Sequence, residues 1–193
     1  MFVDCHSHII PGIDDGAKDM AMSLDMARQT VDAGVSHLVC TPHIHWGYFD
    51  NTKSTIEAGF KALRQAVDEH NIALSLSWAG EVRVSEQIPL WLREGKLPFL
   101  GHYKGKSVLL LEMPHSHIPA GIDQLLSWLR SEGVQPLIPH PERNRDIWKR
   151  PEKIQWLRNC GCILQVTAGA FIGRFGDHVT EISRNMLAQG QID

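Results

Sequence analysis

Nowhere does this chain run to the roughly 18 continuous apolar residues that a membrane-crossing helix needs, so no membrane span is expected. Its N-terminus lacks a positively charged start leading into an apolar run, and no signal peptide is expected there. Positive charge is not in excess either: 19 Lys and Arg stand against 22 Asp and Glu, a net charge of -3. With a pI near 6.4 there is no basic field for nucleic acid or an acidic lipid surface, which argues against a nuclease. Cysteine is scarce. Cys5, Cys40, Cys160 and Cys162 form no disulfide framework, and Cys160-Gly161-Cys162 finds no second pair to complete a zinc site. Cys5 and Cys40 lie in strand-like runs and read as small core hydrophobes, and the set suits a reducing cytoplasm. Linkers, low-complexity tracts, repeats, a P-loop, a dinucleotide glycine motif and a Ser-His-Asp order are all missing.

What remains is an ordinary globular composition, 43% hydrophobic and 21% charged, which sets disorder aside. A length of 193 residues suits a single domain, 1–193, with a substantial core. Strand-like runs occupy residues 1–5, 36–40, 73–78, 107–112, 135–138 and 162–166. Helical spacing occupies residues 17–33, 55–69, 85–94, 122–131, 151–158 and 178–188. Strand followed by helix, repeated along the chain, favours a parallel sheet covered by helices. A seventh strand is expected after the last helix, where the sequence instead stops at Gln191-Ile192-Asp193.

Histidine is the residue in surplus, and its placement is informative. In the opening Asp4-Cys5-His6-Ser7-His8, alternation puts Asp4, His6 and His8 on one face of a strand. Three polar groups on one face of a core strand must either hydrogen-bond among themselves or hold a metal, since unpaired burial costs about 2–7 kcal/mol per neutral group. The second strand runs into Thr41-Pro42-His43, the third into Gly80-Glu81, the fourth ends at Glu112, and the fifth runs into His140. Catalytic groups of parallel α/β barrels collect at these carboxyl ends. Singly each has a plainer reading: a hydrogen-bonded core pair, a loop histidine, a surface glutamate. Jointly, five successive strand ends bearing imidazole or carboxylate favour a divalent metal site. Glu112, after four apolar residues, is the best bridging carboxylate. His45, His102, His115, His117 and His178 read as loop or helix-edge residues. Asp15 reads as a helix N-cap, and Asp14 as an active-site or positioning group behind the HxH pair. Trp78, Trp91, Trp128 and Trp156 read as packing residues.

The stretches DCHSHIIPGIDDGAKDMAMSLDMA, VCTPHIHWGYF, GEV, LLLEMP, LIPHPERN and QVTAGAFIGRFG occur in this order. Together they resemble the bacterial polymerase-and-histidinol-phosphatase (PHP) type protein-tyrosine phosphatases of capsule and exopolysaccharide loci, over essentially the whole chain. The resemblance implies a distorted seven-stranded α/β barrel, a (β/α) barrel of PHP type, that holds two to three divalent ions. Mn²⁺ comes first, with Fe²⁺ and Zn²⁺ as alternatives. It implies His6, His8, His43, Glu81, Glu112 and His140 as metal ligands and Asp14 as a catalytic group. Arg143 would hold phosphate oxygens, with Arg174 of GRFG as a weaker candidate for that job. The implied chemistry is in-line attack of metal-activated water on phosphorus. No cysteine-phosphate intermediate is implied, because Cys5 faces away from the histidines. The implied partner is the phosphotyrosine tail of a bacterial tyrosine autokinase in the cytoplasm, with Trp46, Tyr48 and Phe49 placed to touch it; an oligomer is left open. The family's last strand carries an Asp-x-His motif that has no counterpart here, so the domain is expected to be C-terminally incomplete. A small-molecule phosphatase of histidinol-phosphatase type and an inactive truncated homologue are the competing expectations.

Overall fold

The computed structural model describes residues 2–193, so Met1, the first residue of the expected opening strand, lies outside it. The chain forms two compact units, the first running to Leu100 and the second Gly101–Asp193. In order, the first unit contains β1 (Phe2–Ser7), α1 (Met20–Asp32), β2 (Val35–Cys40), β3 (His43–Ile44), α2 (Lys53–Glu69), β4 (Ser75–Trp78), β5 (Glu81–Arg83) and α3 (Ile88–Arg93). β1, β2 and β4 make a parallel sheet in that order, and β3 pairs in parallel with β5. The helices follow from sequence chemistry. Asp19 caps α1 by accepting from the Met22 amide at 2.9 Å, and Gly34, at φ 84°, lets the chain leave it. Thr52 and Thr55 cap α2 reciprocally, and its Ile56, Phe60, Leu63 and Val67 are buried at helical spacing.

The second unit contains β6 (Gly101–Tyr103), β7 (Lys106–Glu112), α4 (Ile122–Ser131), β8 (Val134–Pro139), α5 (Arg145–Lys149), α6 (Glu152–Asn159), β9 (Ile163–Gln165) and α7 (Asp177–Ala188). Short 3₁₀ turns at Pro141–Arg143 and Ala168–Ile172 follow β8 and β9. β7, β8 and β9 pair in parallel, and β6 folds back antiparallel on β7. Val108, Leu109, Leu110 and Leu111 are all buried, the continuous apolar run of a strand covered on both faces. Asp193 donates its amide to the Leu164 carbonyl at 3.1 Å, and its carboxylate takes the Leu164 amide and Arg158.

The expected α/β class with parallel sheets and covering helices is present. A closed seven-stranded barrel is not seen among the described residues: β3 is only two residues long, and the β1–β2 register breaks between Asp4 and Ser7. The opening strand is also less buried than expected. Phe2 is 67% exposed and Cys5 is exposed as well, because β1 lies at the edge of its sheet, so Cys5 is not the core hydrophobe that its sequence context suggests. The helix after it begins at Met20 rather than 17, and its cap is Asp19 rather than Asp15.

That later start leaves residues 9–18 free to fold as a loop against His8. Ala17 donates to the His8 carbonyl at 3.0 Å, and Gly12 donates to the Ala17 carbonyl at 2.8 Å. Gly16 lies so close to His8 that an added Cβ would fall 1.9 Å from the His8 carbonyl oxygen. Gly16→Ala is therefore expected to destabilise the fold by about 1–3 kcal/mol and to displace His8, read from chemical denaturation and the His8 ring resonances.

Candidate metal centre

β1 delivers His6, and the residue just past its end delivers His8; their Nε2 atoms approach to 3.2 Å. β3 delivers His43, and β5 opens with Glu81, whose parallel pairing to β3 sets Glu81 opposite His43. The Glu81 side chain is fully buried. Its Oε2 lies 3.4 Å from His6 Nε2, 3.3 Å from His8 Nε2 and 3.0 Å from His43 Nδ1. His6, His8 and Glu81 thus offer three donor atoms within 4.8 Å of one another.

Asp14 fixes this arrangement from behind. Its Oδ2 is 2.7 Å from His8 Nδ1 and accepts the His43 amide at 3.0 Å, while Oδ1 accepts the Gly16 amide. A carboxylate on Nδ1 holds the proton there and turns the Nε2 lone pair toward Glu81, the tautomer that a metal-ligating histidine needs. Two ring nitrogens and a carboxylate oxygen facing one another call for a proton or a metal cation among them. His8 registers that demand. Burial alone lowers its proton affinity, yet the hydrogen bonds and charges of Asp14 and Glu81 outweigh burial and raise its pKa to about 10. Asp14 is shifted the other way: burial raises it, but the His8 bond and the two amides hold it below the usual carboxylate range. Mixed imidazole and carboxylate donors around a buried anion fit a divalent cation.

The second unit carries a further donor group. Glu112 ends β7, His115 follows in the next loop, and His140 follows β8; their donor atoms also lie within 4.8 Å of one another. Glu112 and His140 are buried, and His115 Nε2 is 3.4 Å from His140 Nδ1. His140 adopts a left-handed backbone, φ 38° and ψ 47°, strained for a non-glycine residue ahead of a proline. Its amide donates to the Gln165 carbonyl at 2.7 Å, which anchors it to β9. Asn144 fastens the loop of His115 to this turn: its amide nitrogen reaches the carbonyls of Pro114 at 2.7 Å and His117 at 3.0 Å, while its Oδ1 caps α5.

Arg143 follows in the same turn and is held on three sides. Its Nη2 donates to Thr167 Oγ1 at 2.6 Å, its Cζ lies 3.9 Å from the Phe175 ring centroid, and its Nε is 3.9 Å from Glu142 Oε1. Glu142 is fully buried and accepts the Thr167 amide, with burial pushing its pKa up. A guanidinium fixed in this way presents the planar fork that pairs with oxyanions. Arg174 is exposed in the loop before α7, and its amide donates to the Gly169 carbonyl.

The first unit therefore brings His6, His8, His43, Glu81 and Asp14 together, and the second brings Glu112 and His140 together with Arg143 three residues past the bend at His140. Sequence reasoning passed over three residues. His115 reads as a solvated loop histidine, yet it lies beside His140. Asp15 reads as a cap, yet its Oδ1 is 3.5 Å from His43 Nε2, and its outward position leaves the capping to Asp19. Asn144 gives no chemical signal of its own beyond following the PHPER run. If Asp14 sets the His8 tautomer, Asp14→Asn should weaken Mn²⁺ binding about 10–100-fold while leaving the helix content unchanged, measured by isothermal titration and circular dichroism.

Comparison with known proteins places this geometry in a family. The family model described as capsular polysaccharide synthesis, CpsB/CapC, matches residues 2–193. The tyrosine-protein phosphatase YwqE of Bacillus subtilis (strain 168) is 32% identical over 185 residues, covering 96% of this chain and 72% of the relative. The tyrosine-protein phosphatase CpsB of Streptococcus agalactiae serotype III (strain NEM316) is 25% identical over 166 residues, covering 86% of this chain and 67% of the relative. Among solved structures, one described with YwqE from Bacillus subtilis and CpsB from Streptococcus pneumoniae as metal-dependent tyrosine phosphatases superposes with a TM-score of 0.92. It is 31% identical and covers 99% of this chain and 76% of that one. With both units inside the match, the chain belongs to the CpsB/CapC capsular polysaccharide synthesis family.

Proposed function

We propose that this chain is a metal-dependent protein-tyrosine phosphatase, a single domain built from both units on a PHP-type barrel plan. The observation that carries the reading is the fully buried Glu81 carboxylate with three imidazoles within 3.4 Å. The family and the named activity of its relatives support it. His6, His8, His43 and Glu81 of the first unit and Glu112 and His140 of the second would hold two to three divalent ions; the mixed imidazole and carboxylate set suits Mn²⁺, Fe²⁺ or Zn²⁺, and the resemblance to PHP-type phosphatases puts Mn²⁺ first. When bound, such ions make water acidic and offset charge on phosphoryl oxygens.

The chain's own residues supply the rest. Asp14 keeps the His8 proton on Nδ1 and so keeps Nε2 available as a donor. Arg143 takes equatorial phosphate oxygens through its fork, with exposed Arg174 as a second, weaker contact. Thr167 and Phe175 hold Arg143 in place, so no reorganisation is needed when charge develops. A thiolate route is disfavoured: burial pushes Cys40 and Cys162 up to about 12, and burial followed by the Asp4 charge raises Cys5. The substrate is phosphotyrosine on the tail of a bacterial tyrosine kinase, and the reaction is cytoplasmic.

Stripping metal with a chelator should reduce hydrolysis of a phosphotyrosyl peptide by at least a hundredfold, and Mn²⁺ should restore it. Histidinol phosphate assayed in parallel should be turned over far more slowly; a preference for it would overturn the substrate assignment. Thr167→Val should raise KM for the peptide about three- to tenfold with a smaller change in kcat. Thr167→Ser should recover most of that loss, because it keeps the hydroxyl bonded to Arg143.

A further inference from the structure

Beside the first donor group, and wholly within the first unit, lies a cavity of about 430 Å³. Its walls include Ile44 of β3, Trp46, Phe49, Trp91 of α3 and Leu97, and Lys53 and Lys96 also line it. This volume falls within the roughly 300–1,000 Å³ typical of ligand pockets, and the lining is mostly apolar with a few polar groups, as such sites are. The cavity is a built feature. Lys53 Nζ donates to the Gly95 carbonyl at 3.0 Å, tying the start of α2 to the loop after α3. The turn that carries Trp46 is closed by paired His45–Phe49 backbone bonds and by the Gly47 amide on Asp50.

One ring joins the cavity to the metal donors. Phe49 lines the cavity and also stacks on His43, with centroids 5.5 Å apart and planes within 7°. His43 is in turn 3.0 Å from Glu81 Oε2. The Phe49 ring therefore stands between the cavity and the donor group, with His43 on its far face. A phosphotyrosine bound at the donors would bring its neighbours in the peptide close to this opening, since successive Cα atoms are only about 3.8 Å apart. Trp46, 66% exposed, and Trp91 meet at 6.3 Å with tilted planes, two flat indole surfaces suited to an aromatic side chain. Lys96 is paired with Glu94 at 2.6 Å and Lys53 is bonded to the Gly95 carbonyl, so the lining offers its indole and phenyl surfaces rather than a strong net charge.

We propose that this cavity is a specificity subsite that takes an aromatic side chain flanking the phosphotyrosine of a peptide substrate. The proposal rests on the phosphatase reading above and adds a sequence preference to it. The test uses a phosphotyrosyl peptide with alanine at the two positions on either side, and four derivatives that each carry one phenylalanine. With the Mn²⁺-loaded chain, at least one derivative should show kcat/KM about tenfold above the alanine peptide, mainly through KM. In Trp46→Ala and in Trp91→Ala that ratio should fall to near one. Trp46 is largely exposed, so its variant keeps the test open should removal of Trp91 disturb α3. If all four derivatives stay within twofold of the alanine peptide, or if the preference survives both substitutions, the subsite is refuted. Hydrolysis of p-nitrophenyl phosphate by the unaltered chain separates the two failures. Turnover without peptide discrimination removes only the subsite, whereas absence of Mn²⁺-dependent turnover removes the phosphatase reading itself.

Discussion

The structure depends on a carboxylate buried where a carboxylate should not be. Glu81 has no exposed surface, and an isolated anion in that position would cost several kcal/mol even after the protein relaxes around it. Three imidazoles surround its Oε2, and a second carboxylate, Asp14, adds negative charge behind His8, so that without a metal the site holds a proton on His8. The donors are arranged for a cation and are costly without one. This explains why the loop through Gly16 packs so closely on His8, and why β3 and β5, only two and three residues long, are paired at all. Their pairing sets His43 opposite Glu81 and the buried Ile44 opposite Val82.

The second unit shows the same trade of local comfort for position. His140 sits in a left-handed conformation that proline at the next position makes worse, and the Gln165 carbonyl anchors it there. The bend redirects the chain into the 3₁₀ turn that carries Glu142 and Arg143. Glu142 then orders Thr167, and Thr167 orders Arg143. Strain at one residue thus supports a fixed guanidinium three residues on.

Much of this was legible in the sequence, for identifiable reasons. The helices α2 and α4 announce themselves through apolar spacing, and β7 through its unbroken Val-Leu-Leu-Leu run. His6, His8, His43, Glu81, Glu112 and His140 stood out because each closes or follows a strand-like run. The short strands β3, β5 and β6 span two or three residues and carry too little periodicity to separate from loop. Thr167 and Phe175 gave no signal toward Arg143, because the contacts join residues more than 20 positions apart and involve ordinary side chains. His115 and Asn144 matter through a loop crossing that no local pattern encodes. The exposure of β1 was missed because alternation identifies a face without saying what covers it.

The most direct measurement is anomalous X-ray scattering from crystals of this chain grown with Mn²⁺. An anomalous peak within bonding distance of Glu81 Oε2 and of the His6 and His8 Nε2 atoms is the expected result. Well-ordered side chains there with no anomalous density at saturating Mn²⁺ would contradict the metal centre and everything assigned to it.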